Sequence, residues 1–238
     1  MTIRSLHEVS EFEKCVGLQR EIWGWSDLDL MPVRFFVTGT RIGGLVLAVF
    51  ESDRMIGFAN TIPGVREGMP YWRSQMMGVV EEFRNEGIGA QLKLAQRDHA
   101  RQHGIRLIDW TFDPLESRNA HLNIQKLGAI VRHYDVNLYG ATSASLQQGL
   151  ESDRVVAEWW IDEPRVNAQG DIRRIYIPGD IQALKKQSLK SAQDVQLRVR
   201  EQFRKNLQDD YFVAGFERKD EWSEYLFVPG ASGVYQAS

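Results

Sequence analysis

The chain has 238 residues with 29 Lys and Arg against 32 Asp and Glu, a net charge of −3, and it is 43% hydrophobic and 26% charged. These proportions exclude disordered, collagen-like and disulfide-stapled proteins. The missing basic surplus excludes a typical nucleic-acid binder, which needs cations to displace counterions from phosphates. The length allows one large domain or two small ones, and a small molecule is the expected partner.

The single cysteine, Cys15, cannot form an internal disulfide, which favours a reducing compartment. Residues 1–14 alternate charged and apolar side chains where a signal peptide would have a continuous apolar core. The longest unbroken apolar run, 45–50, is far shorter than the ~20 residues that a membrane-spanning helix needs. The sequence therefore predicts a soluble, cytoplasmic protein that does not insert into a membrane.

Hydrophobic periodicity predicts alternating strands and helices in the first part of the chain. In chain order these are a strand (3–6), two helices (7–23 and 32–43), three strands (45–50, 55–62 and 71–80), a helix (88–103), a strand (106–112), a helix (117–127) and a strand (130–139). Strands joined by short turns pair antiparallel, whereas the two strand-helix-strand units at the end should each form a parallel pair. The predicted fold class is α/β (α+β), with a mixed, mostly antiparallel central sheet flanked by helices.

The rest of the chain, residues 143–238, carries no recognisable catalytic motif. The segment from Gly140 to Gly149 is a candidate hinge. Beyond it the pattern predicts an α+β extension with strands at 155–161, 173–177, 211–216 and 222–228 and a helix at 181–207. We expect this extension to select the substrate or to form a homodimer.

The most informative passage is 84–89 (RNEGIG), where a predicted strand runs into a predicted helix. The first turn of a helix has unpaired N–H groups and the positive end of the helix dipole, so it binds anions. Glycines at 87 and 89 leave those amides open to a phosphate, and Arg84 adds positive charge. In the alternative interpretation the glycines only let the helix begin close to the strand. In the helix itself, Lys93 is expected on the exposed face.

The passage 79–89 resembles the acyl-coenzyme A loop of the GNAT N-acyltransferase superfamily, whose pattern is Arg or Gln, two residues, Gly, one residue, and Gly or Ala. The predicted element order over 1–142 also resembles the GNAT fold. The resemblance implies that acetyl-CoA or another acyl-CoA (coenzyme A) is the cofactor, its pantetheine arm pairing with the strand end and its pyrophosphate held by loop amides. The implied positions are Val79 and Val80 for the arm and Arg84, Asn85, Glu86, Gly87, Ile88 and Gly89 for the pyrophosphate.

A second family motif lies on the 117–127 helix, where this chain departs from the family. Ala120 is kept, but Ile124 stands where many members have the tyrosine that protonates the departing thiolate. Asn119 and Asn123 are the implied substitutes for contact with the coenzyme. Their alternative roles are a helix cap and a surface amide.

Acyl transfer to an amine needs a base that removes a proton from the amine. Strand alternation predicts that Asp109 and Asp113 share one face of the 106–113 strand, and His121 lies on the following helix. We predict these three as catalytic candidates, and we predict no metal site, because no set of ligands with zinc-type spacing is evident.

The sequence thus predicts a GNAT-like catalytic domain at 1–142 and the extension at 143–238. The predicted activity is transfer of an acetyl or other short acyl group, such as succinyl, from acyl-CoA to the amine of a small molecule, possibly an amino acid. The string at 111–115 and the extension also resemble an uncharacterised bacterial GNAT subgroup, in which some members are thought to succinylate amino acids. The alternative function is a non-catalytic GNAT-like module for CoA binding or assembly.

Overall fold

The computed structural model describes residues 1–140 and 149–230. They form two compact units, an N-terminal unit of residues 1–109 and a C-terminal unit of residues 110–140 and 149–230. The units divide inside a strand, after Asp109, so they do not coincide with the predicted segments 1–142 and 143–238, whose separate roles stay a prediction. The candidate hinge lies almost wholly outside the described residues.

The N-terminal unit is a sheet with helices packed against it. Its strands follow the order β1-β2-β3-β4-β5, and neighbours are antiparallel except for the parallel pair β4 and β5. The predicted order of elements and the first predicted parallel pair are confirmed. The elements are β1 (Thr2–Ser5), α1 (Val9–Trp23), α2 (Val33–Arg41), β2 (Leu45–Glu51), β3 (Arg54–Arg66), β4 (Met69–Val79), a 3₁₀ turn (Glu81–Phe83), α3 (Ile88–Gln102) and β5 (Leu107–Phe112).

Helices cover both faces of this sheet. Phe58 of β3 packs edge-on against Phe36 of α2 and Trp23 of α1. Thr61, three residues along β3, points to the opposite face, where it accepts a hydrogen bond from Gln96 of α3. Strand alternation thereby assigns α1 and α2 to one face and α3 to the other.

Strand β4 contains a β-bulge at Gln75. Asn60 of β3 pairs with Met76 and Thr61 pairs with Ser74, so Gln75 has no residue opposite it. The extra residue changes the face to which later side chains of β4 point: Ser74 faces α3, whereas Gly78 lies against α1. A Cβ at Gly78 would approach the Trp23 ring to 2.7 Å, so glycine permits this close packing.

The C-terminal unit is a second set of antiparallel strands, in the order β7-β6-β9-β10-β8. Its strands agree with the predicted ones, but β6 has β7 and β9 as neighbours and is antiparallel to both. The second predicted parallel pair, 106–112 with 130–139, is therefore wrong as a direct pairing. The elements are α4 (Ser117–Ala120), a π-helical turn (His121–Lys126), β6 (Ile130–Asp135), β7 (Arg154–Trp160), β8 (Arg173–Pro178), α5 (Ile181–Gln187), α6 (Leu189–Gln208), β9 (Tyr211–Glu217) and β10 (Trp222–Pro229).

Two predicted helices are less regular in the structure. The 117–127 helix is α-helical only at its start, and a bond from the Leu127 N–H to the Leu122 carbonyl (3.0 Å) closes a π turn. The 181–207 helix is two helices, because Ser188 is extended and its side chain caps α6 by accepting from the Ser191 N–H at 3.1 Å. None of the helices formed by residues 1–140 and 149–230 is long and apolar enough to cross a membrane.

Candidate functional site

The turn between β4 and α3 presents backbone N–H groups. Asn85 (φ 69°) and Gly87 (φ 80°) are left-handed, and Gly87 occupies the N-cap position of α3 without a side chain to cap it. The first α-helical bond in α3 runs from the Gln91 N–H to the Gly87 carbonyl, at 3.1 Å. The backbone N–H groups that precede Gln91 in the turn therefore have no acceptor within the helix. Residues 84–87 are exposed.

This turn fits a phosphate-bearing cofactor. A Cβ added at Gly87 would meet no atom within 4 Å, so the space beside the helix N-terminus is open to a ligand. Gly89 is the second residue of α3 and adds no side chain there. Ile88 is buried and anchors the helix start, whereas Glu86 is exposed at the turn. The donors and the positive end of the α3 dipole match the charge of a pyrophosphate.

Arg84 braces the turn through its side chain. Its Nε donates to the Val79 carbonyl at 3.2 Å, and its Nη2 donates to the Ile22 carbonyl at 3.2 Å. The guanidinium therefore ties the turn to the end of β4 and to α1, and it contributes positive charge from that fixed position.

Val79 and Val80 differ in what their backbones offer. The Val80 N–H donates to the Ile56 carbonyl of β3 at 2.9 Å, and the Val80 carbonyl accepts from the Phe83 N–H at 3.1 Å. Because N–H directions alternate along an antiparallel strand, the Val79 N–H points away from β3. Val79, and not Val80, is thus placed to donate to a group alongside β4.

Asp109 is fully buried and is held by two arginines. Oδ1 accepts from Arg73 Nη1 at 3.1 Å, and Oδ2 accepts from Arg66 Nη2, whose guanidinium also lies over the Tyr71 ring. Both carboxylate oxygens therefore have a cationic partner. This arrangement makes Asp109 an ion-pair anchor between β3, β4 and β5 rather than a base.

Lys93 is buried, although the sequence predicts it on the exposed face of α3. Its Nζ donates to Ser74 Oγ at 2.8 Å and to Gln96 Oε1 at 3.3 Å, next to the β4 bulge. Burial lowers the pKa of this amine well below its usual value, and Asp109 opposes that shift only in part. The prediction failed because Lys93 flanks Leu92 on the buried stripe of α3, where a polar network replaces apolar packing.

Asp113 is the first residue after β5 and is half-buried. One carboxylate oxygen accepts from the Leu115 N–H at 2.9 Å. Burial raises the pKa of Asp113 to about 6, although this backbone bond and the charge of Arg154 oppose the rise. A carboxylate with this pKa is well matched to accepting a proton near neutral pH.

The other predicted residues lie on the first turns after Asp113. Asn119 is exposed on α4, and Asn123 is buried in the π turn. His121 is half-buried, and burial lowers its pKa, with further lowering by the charges of Lys126 and Arg218. Its Nδ1 is buried and has no hydrogen-bond partner among residues 1–140 and 149–230. A neutral imidazole at pH 7 follows.

Sequence reasoning missed a polar residue in the middle of β3, Asn60. It is fully buried, and its side-chain oxygen has no hydrogen-bond donor in the described part of the chain. A buried asparagine inside an apolar strand was a visible signal in the sequence, but its unpaired state depends on tertiary packing.

No protein-family model matches the chain, and no curated protein matches its sequence. The fold is similar to that of the ribosomal-protein-S18-alanine N-acetyltransferase from Escherichia coli (16% identity, TM-score 0.54, covering 71% of this chain and 99% of that one). It is also similar to a GNAT family acetyltransferase from Elizabethkingia anophelis with acetyl-CoA bound (17% identity, TM-score 0.52, covering 67% and 97%). A third similar structure is a putative acetyltransferase from Salmonella typhimurium with its cofactor acetyl-CoA (17%, TM-score 0.53, covering 72% and 98%).

Proposed function

The chain has the GNAT fold, and from this premise we propose that it is an acyl-CoA-dependent N-acyltransferase, with acetyl-CoA as the first cofactor to test. The acceptor is the amine of a small molecule. An amino acid as acceptor and succinyl-CoA as donor are the narrower forms of this proposal. Cytoplasmic location and a homodimer remain predictions from the sequence.

The observation that carries the proposal is the turn from Arg84 to Gly89. It combines left-handed residues, exposed amides and an uncapped helix N-terminus at the end of β4. A coenzyme A pyrophosphate needs N–H donors and a positive dipole, and both are supplied here without a surplus of basic side chains. This accounts for an anion-binding protein whose net charge is −3.

Each candidate residue has a role that its own surroundings favour. The Val79 N–H donates to the acyl-CoA alongside β4 and, at the thioester carbonyl, stabilises the oxyanion that forms during attack. Asp113 is the candidate base that the C-terminal unit offers, because its pKa of about 6 leaves it ionised and still basic at pH 7. Acyl-CoA would supply an activated acyl group when bound: the amine nitrogen forms the new C–N bond, the C–S bond breaks, and coenzyme A leaves as a thiolate that takes up a proton from solvent.

Isothermal titration calorimetry with acetyl-CoA and succinyl-CoA, followed by a thiol-release assay over a panel of primary amines, tests the proposal. We expect binding of at least one acyl-CoA and amine-dependent release of the coenzyme A thiol. Failure to bind either acyl-CoA would refute the enzyme assignment.

The second candidate, a non-catalytic module that binds coenzyme A, is favoured by one observation. Ile124, at the position of the family's proton-donating tyrosine, is fully buried and apolar. Binding of acyl-CoA without thiol release for any amine in the panel would support this module over the enzyme.

A further inference from the structure

Asn60 is a buried polar residue whose side-chain nitrogen has a contact within the described residues, whereas its side-chain oxygen has none. Its side chain is 0% exposed, and its Nδ2 lies 3.9 Å from the sulfur of Met31. Its Oδ1 has no hydrogen-bond donor among residues 1–140 and 149–230. Because nearly all buried acceptors in native proteins are bonded, this atom is a candidate for contact with a ligand.

The position of Asn60 relates it to the proposed acyl site. It pairs with Met76, the first residue after the bulge at Gln75, and paired residues share a face of the sheet. Three residues further along β4 lies Val79, whose N–H points away from β3. Bulges are common next to active sites, and the register puts Asn60 opposite Met76, on the stretch of β4 that leads to Val79.

A second unsatisfied atom lies on the same face. Trp25 Nε1 is buried without a partner in the described part of the chain. The Trp25 ring stacks on Trp23 (centroids 4.7 Å apart), which packs edge-on against Phe58, two residues before Asn60 on β3. One donor and one acceptor thus lack partners on the α1 and α2 side of β3 and β4, as expected where a polar ligand binds.

We propose that Asn60 Oδ1 accepts an N–H from the primary amine that is acylated, which makes Asn60 a specificity-determining residue for the acceptor. This inference rests on the proposed function. The unsatisfied atom is an acceptor and requires a donor, and an amine brings an N–H to the reacting end, where the thioester group has none. The pantetheine amides of acyl-CoA also carry N–H groups, so a lower acetyl-CoA affinity in an Asn60 variant would assign the contact to the coenzyme instead. A neutral amide also binds the uncharged amine through an N–H and leaves its lone pair for attack.

Met31 contacts the Asn60 amide nitrogen through its sulfur. Its backbone is clamped by the buried Gln19, which donates Nε2–H to the Met31 carbonyl at 3.0 Å and accepts from the Met31 N–H at 2.7 Å. The side chain is unbranched and flexible, so it can rotate away from Asn60 while its backbone stays in place.

Asn60→Leu tests this inference, with Thr61→Val as the matched control. Both residues are buried on β3, but Thr61 faces α3 and its hydroxyl is bonded to Gln96. In the thiol-release assay, we expect Asn60→Leu to raise the KM for the best amine of the panel about tenfold, the effect of losing one hydrogen bond. Acetyl-CoA affinity should stay unchanged, and Thr61→Val should leave the amine KM at the wild-type value.

Thermal unfolding separates a ligand contact from a structural role. Replacing an unsatisfied acceptor by an apolar group of similar size should leave the melting temperature unchanged or raise it, whereas loss of a structural hydrogen bond should lower it. An unchanged amine KM, with or without a lower melting temperature, would overturn the inference while the proposed function stands. If Asn60→Leu does not fold, Asn60→Ala receives the same measurements. A wild-type protein that neither binds nor turns over acyl-CoA would instead overturn the proposed function itself.

Discussion

Asp109 and Asp113 are four residues apart in sequence, at the end of one unit and near the start of the other, and their surroundings differ. Asp109 is fully buried between two guanidinium groups, whereas Asp113 is half-buried and bonded to a backbone N–H. Burial with opposite charges produces an ion-pair anchor, and burial with only weak compensation produces a carboxylate with a pKa of about 6. The same residue type thus forms a charge-paired anchor in one unit and a carboxylate with a raised pKa in the other.

The largest expected effect is on catalysis. Asp113→Asn should lower kcat by about 100-fold to 10,000-fold, the usual contribution of a general base. In wild type, kcat/KM should fall below an apparent pKa of about 6. Steady-state kinetics between pH 5 and 9 measures both, with Asp98→Asn as the control carboxylate, since Asp98 is exposed and paired with Arg97. A kcat within threefold of wild type would remove Asp113 as the base.

The buried ion pairs of Asp109 should contribute more to the free energy of unfolding than those of an exposed aspartate. Asp109→Asn leaves Arg66 and Arg73 with a neutral partner, and we expect a loss of about 3 kcal/mol in the free energy of unfolding. Asp98→Asn, on the exposed surface beside Arg97, should change it by less than about 0.5 kcal/mol. Urea denaturation compares the two variants, and equal small effects would show that the buried pairing is not an anchor.

Replacing Asp113 should change the free energy of unfolding in the opposite direction. Because folding raises its pKa from 3.8 to about 6, the folded state binds more protons than the unfolded state between these values, and wild type loses stability as pH rises through this range. Asp113→Asn should therefore gain up to about 3 kcal/mol over wild type above pH 7 and nothing at pH 3.5. A gain that does not depend on pH would contradict the raised pKa.

The smallest effect concerns Lys93, the buried base of the N-terminal unit. Folding lowers its pKa, so between the lowered value and 10.5 the unfolded state binds more protons than the folded state, and wild type gains stability as pH rises through that window. Lys93→Met lacks this dependence. The difference in unfolding free energy between wild type and variant should grow in favour of wild type from pH 7 to pH 9.5, and parallel curves would show that Lys93 stays charged.

Local patterns were sufficient for the strands, most helices and the turn at 84–89. The turn was predictable because glycine spacing, a preceding strand and a following helix are all contiguous in sequence. The exposed placement of Lys93 was wrong because periodicity treats a lysine as polar, whereas Ser74 and Gln96 satisfy it inside the protein.

Features that depend on distant segments were not predictable. Strand β7 pairs with β6, and its position cannot be derived from the helix that joins β5 to β6. The π turn at His121–Lys126 widens that turn of the 117–127 helix, so residues placed there at α-helical spacing, such as Asn123 and Ile124, do not keep their predicted faces. The unpaired Oδ1 of Asn60 requires knowledge of which side chains surround it.

The central claim is that acyl-CoA binds at the N-terminus of α3, and a pair of glycine variants tests it most directly. Gly87 (φ 80°) and Gly104 (φ 67°) lie at opposite ends of α3, both are left-handed, and a Cβ at either meets no atom within 4 Å. Gly87→Glu and Gly104→Glu therefore impose similar backbone strain and the same charge. By calorimetry we expect acetyl-CoA affinity to fall at least 100-fold in Gly87→Glu and to match wild type in Gly104→Glu. Equal affinities in the two variants would contradict the account.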